Sequence, residues 1–136
     1  MKWHQILWEL PQTVLGWFVS RRVTVENETA YKGRRMLWFK EDSWFSRLLS
    51  SGSLGLYILL PSGSDLNAAG HEYGHCLQSA KWGWLYLPVI GIPSLFNNLR
   101  GRIVYKGWTR AQSEADYYSR YPEKEADRLG GVERRN

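Results

Sequence analysis

The apolar positions of the chain recur with two periods and so separate helices from strands. Residues 3–19 are rich in apolar side chains and read as a short helix broken near Pro11, because an internal proline ends or kinks a helix. Residues 22–28 (RVTVENE) alternate apolar and polar side chains, as a half-buried strand does. Residues 36–40 (MLWFK) supply an antiparallel partner, with Lys32 and Gly33 in or near the turn. After a polar break at residues 50–53, the run 54–60 (LGLYILL) reads as a third strand, ended by Pro61, Ser62 and Gly63. Ser64 or Asp65 then caps a helix over residues 66–81, closed by Gly83. Further on, residues 102–105 read as extended and 110–118 as helical, and Pro122 suits the first turn of a last helix ending near Gly130 and Gly131. This order predicts an α+β fold: a small antiparallel or mixed sheet packed on the helix 66–81 and on the helix after Pro122.

Composition narrows the picture. With 136 residues, 43% of them hydrophobic, the chain builds one core, so residues 1–136 read as a single domain with an apolar N-terminal helical segment at 1–20. Eight Trp, eight Tyr and four Phe are a heavy aromatic load. The formal charge of +5 favours anionic surfaces, yet the pairs Arg21-Arg22, Arg34-Arg35 and Arg134-Arg135 lie far apart. Without a long basic block or a nucleic-acid motif they read as solvated charges, and no nucleic-acid partner is expected. The single Cys76 forms no intrachain disulfide, which points to a reducing compartment and to a cytoplasmic or membrane-associated protein, peripheral or monotopic.

Two apolar runs bear on that last point. Residues 3–19 contain Glu9 and Pro11, and no small-residue cleavage site follows Arg21-Arg22, so they do not read as a signal peptide. Residues 82–96 fall short of the roughly 20 residues a spanning helix needs, and Pro88 and Pro93 break any continuous helix. Both runs carry Trp, which favours the boundary between lipid and water. Partial insertion from one side and ordinary core packing both fit them.

The chemistry concentrates in the helix 66–81. His71-Glu72-Tyr73-Gly74-His75 matches H-E-x-x-H, and residues four apart lie about 40° apart on one helix face, so two imidazoles can share one zinc. Catalytic zinc takes three protein ligands and leaves a position for water, whose proton Glu72 can accept as general base. Gly74 inside a helix costs about 1 kcal/mol relative to Ala and suggests close backbone approach. A third ligand is available in Glu123-Lys124-Glu125-Ala126-Asp127, where Glu123 and Asp127 share a helix face. One carboxylate can bind metal while the other holds a ligand imidazole by its free N–H. Acids in a first helical turn also suit the helix dipole without any metal, so both readings stand at this point. Glu114-Ala115-Asp116 repeats the end of that pattern, but Gln112 stands where the first acid belongs.

With these residues in view, the chain resembles the gluzincin group of zinc metallopeptidases, in which H-E-x-x-H is followed by a glutamate ligand on a later helix. In the branch resembling CaaX-prenyl proteases and related membrane peptidases, together with minimal gluzincins, that glutamate opens an E-x-x-A-D motif, and residues 123–127 match it position by position. The chain also resembles small bacterial membrane-associated metallopeptidase-like proteins carrying H-E-Y-G-H, Y-L-x-x-x-G-I-P-S (residues 86–94) and R-L-G-G-V (residues 128–132). The resemblance implies Zn2+ on His71, His75 and Glu123, Glu72 as the catalytic base, Asp127 as the residue orienting a histidine, and a peptide or protein substrate. A catalytically silent zinc-binding or membrane-interaction module is the alternative. Residues 54–60 are expected to be an edge strand that pairs with an extended substrate. Tyr105, Tyr117, Tyr118 and Tyr121 are candidate donors to a transition-state oxyanion. His4 reads as a surface residue and Cys76 as a buried small hydrophobe.

Overall fold

Lys32 and Gly33 both adopt positive φ, 49° and 82°. Two successive left-handed residues match the twist of antiparallel strands, and they join β1 (Thr24–Tyr31) to β2 (Arg34–Lys40) in the hairpin that the alternation predicts. The computed structural model describes residues 2–134 and is α+β, with seven α-helices and a four-stranded mixed sheet among those residues. Sheet order is β1-β2-β4-β3, where β3 is Gly52–Leu54 and β4 is Tyr57–Pro61. β4 runs parallel to β2 and antiparallel to β3.

The two inner strands carry the core. Met36, Ile58 and Leu60 pack with Ala69 and Cys76 of α4 (Leu66–Trp82) on one face of the sheet. Leu37, Phe39, Tyr57 and Leu59 occupy the opposite face, against Val19 of α2 (Leu10–Ser20) and Leu49 of α3 (Trp44–Leu49). Asp65 caps α4 by accepting from the Ala68 backbone N–H at 2.9 Å. The remaining helices are α1 (Trp3–Trp8), α5 (Ile92–Val104), α6 (Arg110–Tyr117) and α7 (Glu123–Gly130).

Several expectations change. The run 54–60 is not one strand: the chain turns at Gly55 (φ 60°), so its first residue ends β3 and its remainder forms β4. A Cβ at Gly55 would overlap Thr13, so both the positive φ and the close approach suit glycine at this turn. β4 lies inside the sheet and has no free edge; the outer strand beside α4 is β3. β1 is exposed on both faces except at Tyr31, rather than half-buried, because it is the other outer strand and carries mostly polar side chains. Residues 102–105 are not extended, since α5 runs to Val104.

Pro88 and Pro93 do not end the helical path of the run 82–96. A 3-10 turn at Gly83–Leu85 and a π-helical turn at Leu87–Gly91 lead directly into α5, and both prolines sit in first turns, where their missing N–H has no intrahelical role. Three of the arginines read as solvated are paired, Arg35 among them, which meets Glu28 at 2.7 Å on the surface. Arg34 is buried and donates to Glu9 at 2.8 Å and to the Gly55 carbonyl at 2.8 Å. Arg134 is held by Asp127, while Arg135, its expected companion, lies outside the described residues. No helix among the described residues is long and apolar enough to cross a membrane.

Candidate metal centre

Helices α4 and α7 meet through small residues. A Cβ on Gly74 would overlap the Ala126 backbone, and one on Gly130 would overlap the Gly70 carbonyl, so the two helices pack backbone to backbone. That approach carries Glu123, at the start of α7, onto the His71–His75 face of α4. Glu123 Oε2 lies 3.0 Å from His71 Nε2 and 2.9 Å from His75 Nε2. All three side chains are buried, and their ligand atoms lie within 4.8 Å of one another.

Each histidine is oriented from its other nitrogen. His71 Nδ1 lies 2.8 Å from Asp127 Oδ1, and Asp127 is itself gripped by Arg134 through contacts of 2.9 Å to each carboxylate oxygen. The Arg134 guanidinium stacks 3.5 Å from the Tyr118 ring, whose edge or face meets the His71 ring at 5.0 Å. His75 Nδ1 lies 2.7 Å from Gln78 Oε1. Gln78 Nε2 donates to the Pro122 carbonyl at 3.1 Å and to Glu125 at 3.2 Å, which fixes its oxygen toward His75. Glu125 therefore braces Gln78 and through it His75.

These bonds set the tautomers. Asp127 and the Gln78 oxygen are acceptors, so both Nδ1 atoms carry protons and both Nε2 lone pairs point at the oxygen of Glu123. Three electron-pair donors converging on one point need a cation between them. In a tetrahedral zinc site with arms of about 2.0–2.1 Å the ligand atoms stand roughly 3.3 Å apart, close to the two spacings found here. The residues present therefore fit a metal. Without one, a second proton must take its place: burial opposes charging His71, but hydrogen bonds to Asp127 and Glu123 outweigh it and raise its pKa from 6.5 to about 9. Burial likewise opposes ionising Glu123, yet the two histidines hold its carboxyl far below the usual range.

Glu72 borders the same space. Ser51 donates to its Oε1 at 3.0 Å, while its Oε2 is buried and has no partner among the described residues. A cleft of about 440 Å³ lies over Glu72 and the two histidines, walled by β3 on one side and by Leu95, Tyr117 and Tyr118 on another. Of the four tyrosine candidates, Tyr105 is bound to Asp116 at 2.8 Å and Tyr121 points to the Val89 carbonyl, so neither reaches the cleft. Tyr117 and Tyr118 do reach it. Burial, with the nearby charge of Glu123 and Glu72, pushes the Tyr117 hydroxyl far above its usual pKa, so it remains a proton donor. Tyr118 is pushed up to about 12, chiefly by burial.

Other sequence candidates are placed as follows. His4 is exposed and distant, and Cys76 is fully buried against Ser53, its thiol pushed up to about 12 by that burial. Glu114 pairs with Arg110 on the surface. Sequence reasoning missed Gln78, Ser51, Arg134 and Ser94, whose Oγ donates to Glu123 Oε1 at 2.6 Å and holds that oxygen away from the histidines. Gln78 was open to detection as the i+3 neighbour of His75, whereas the others come from distant segments with no local signal. No protein family, no curated protein and no solved structure matches the chain.

Proposed function

We propose that the chain is a zinc-dependent peptidase of the gluzincin kind, with His71, His75 and Glu123 as ligands and Glu72 as general base. The observation that carries this reading is the convergence of two imidazole lone pairs and one carboxylate oxygen beside a glutamate whose second oxygen is buried and unpartnered. The two-nitrogen, one-oxygen donor set suits Zn2+, which when bound supplies Lewis acidity toward a water and a carbonyl oxygen. Ser51 fixes one oxygen of Glu72, leaving the other to take a proton from the attacking water and to deliver it to the leaving amine as the C–N bond breaks. Tyr117 and Tyr118 stand as protonated donors for the developing oxyanion. Gly52, Ser53 and Leu54 of β3 line the cleft, and this outer strand offers main-chain hydrogen bonds to an extended peptide.

The test is a broad peptide library incubated with the zinc-loaded protein and with Glu72→Gln. Turnover by the parent, lost in a variant that still retains about one zinc per chain, supports the peptidase. Zinc bound without turnover across the library favours a silent zinc module.

A further inference from the structure

Two helices of this fold are turned inside out. In α5 the buried side is Asn97 and Gly101, whereas Ile92, Leu95, Phe96, Leu99 and Ile103 form one stripe at helical spacing that is 43% to 72% exposed. The same holds in α2, where Gln12 and Gly16 are buried and Val14, Leu15, Trp17 and Phe18 are exposed. Trp44 and Leu48 of α3 are exposed as well. In water an amphipathic helix turns its apolar stripe inward; small and polar residues inside with large apolar ones outside is the arrangement of a protein in contact with lipid.

These surfaces are neighbours. Arg102 of α5 donates to the carbonyls of Arg47 and Leu48 in α3, and Asn98 donates to Ser50. Val19, Leu48 and Leu95, one from each helix, all line the cleft above His71. On the far side Trp84 donates to the Leu7 carbonyl and Trp8 to the Ala80 carbonyl, fastening α1 to the end of α4 and to the start of the second apolar run. Of the eight Trp, six (Trp3, Trp8, Trp17, Trp44, Trp84 and Trp108) are at least 44% exposed, and Trp is the side chain that settles at the headgroup boundary.

Charge identifies the occupant. Residues 10–22, 44–50 and 83–106 contain no acidic side chain, but they contain Arg21, Arg22, Arg47, Arg102 and Lys106, as well as Arg100, which Asp116 of α6 pairs at 3.2 Å. A second copy of the chain would bring these cations face to face, whereas anionic headgroups neutralise them. At 1.5 Å per residue the 11 residues of α2 reach about 16 Å, short of a hydrocarbon core of about 30 Å, and no helix among the described residues is long and apolar enough to cross it. We propose that the outward faces of α2, α3 and α5 form a monotopic docking surface for an anionic lipid bilayer, with the mouth of the His71 cleft at its edge. This surface does not depend on the peptidase reading.

Flotation of the full chain with vesicles of phosphatidylcholine, alone or mixed with phosphatidylglycerol, tests it. The protein is expected to float with the mixed vesicles, less so as salt is raised. Phe96→Glu/Ile103→Glu, at positions 66% and 72% exposed, is expected to lower the bound fraction about ten-fold or more without changing the circular dichroism or zinc content. Val14→Glu/Phe18→Glu in α2 is the second pair, should the first not fold. A chain that stays in the aqueous fraction with both vesicles overturns the proposal, as does a folded double variant that floats as well as the parent. So does a self-associated dimer that the same substitutions dissociate and that ignores vesicles.

Discussion

Gly74 of α4 and Ala126 of α7 touch through their backbones, and the position of Glu123 against the two histidines follows from that contact. In an ordinary helix Gly→Ala gains about 1 kcal/mol. Here the added methyl meets a carbonyl that cannot swing aside, so Gly74→Ala is expected to destabilise the fold by about 1–3 kcal/mol and to weaken zinc binding together with it. Thermal unfolding and chelator competition measure the two effects. A Gly74→Ala protein more stable than the parent would remove the close approach as the determinant of the site.

The acids of α7 and the glutamine of α4 form a graded series. Glu123→Ala deletes a ligand and is expected to abolish tight zinc binding. Asp127→Ala and Gln78→Ala each free one imidazole and are expected to cost about 10- to 100-fold in affinity. Glu125→Ala loosens only the brace on Gln78, so its loss is expected to be the smallest of the four. A chelator titration that ranks Glu125→Ala above Gln78→Ala would contradict the role given to the glutamine.

Acid and base act oppositely on the metal-free protein and on zinc binding. The folded pKa of His71, about 9, lies above its ordinary 6.5, so its stabilisation is complete below about 6.5 and is lost as pH rises through 9. Glu123 is depressed, so its contribution is present above its ordinary 4.5 and disappears as pH falls below it. The metal-free chain is therefore expected to melt highest between these limits. Zinc must displace the His71 proton, so its affinity is expected to climb with pH up to about 9, with proton release visible by calorimetry in buffers of different ionisation enthalpy. A metal-free melting temperature that rises from pH 6 to 9.5 would refute the imidazolium.

Glu9 and Arg34 tie the first helices to the sheet through a buried ion pair of 2.8 Å, and Ser79 of α4 shares the same Glu9 oxygen. Glu9→Ala strands a buried guanidinium and is expected to cost about 3–5 kcal/mol in urea unfolding. Glu9→Leu/Arg34→Met is expected to recover most of that loss, because neither charge is then left unpaired. A double variant as unstable as Glu9→Ala would show that the Gly55 and Cys76 carbonyls, rather than the carboxylate, are what Arg34 serves.

The sequence was most legible where one element contained the whole signal. H-E-x-x-H placed two histidines on one helix face with Glu72 next to the first, Ser64 or Asp65 announced the helix start, and the Lys32-Gly33 turn implied its hairpin. The face shared by Glu123 and Asp127 was legible too, although only tertiary packing brings it to α4. What escaped depends on contacts between segments that sequence leaves unrelated. Gly55, in a left-handed turn packed against Thr13, splits one apolar run into two strands, and Arg34 reads as a solvated charge until the fold buries it against Glu9. The apolar stripe of α5 was visible only as an apolar run; which way it faces is decided by Asn97 and Gly101, whose inward position no periodicity reveals.

The irregularity in β1 between Val25 and Asn27 has a consequence for self-assembly. A sheet with two open borders invites head-to-head stacking with copies of itself, the route to fibrils. On the β1 border the bulge bends the strand, and Glu26 places negative charge beside it, so an approaching copy meets both a misfit and repulsion. The β3 border is only three residues long and walls the cleft. The long border is thus the one guarded against polymerisation, and the border left open is too short to seed it.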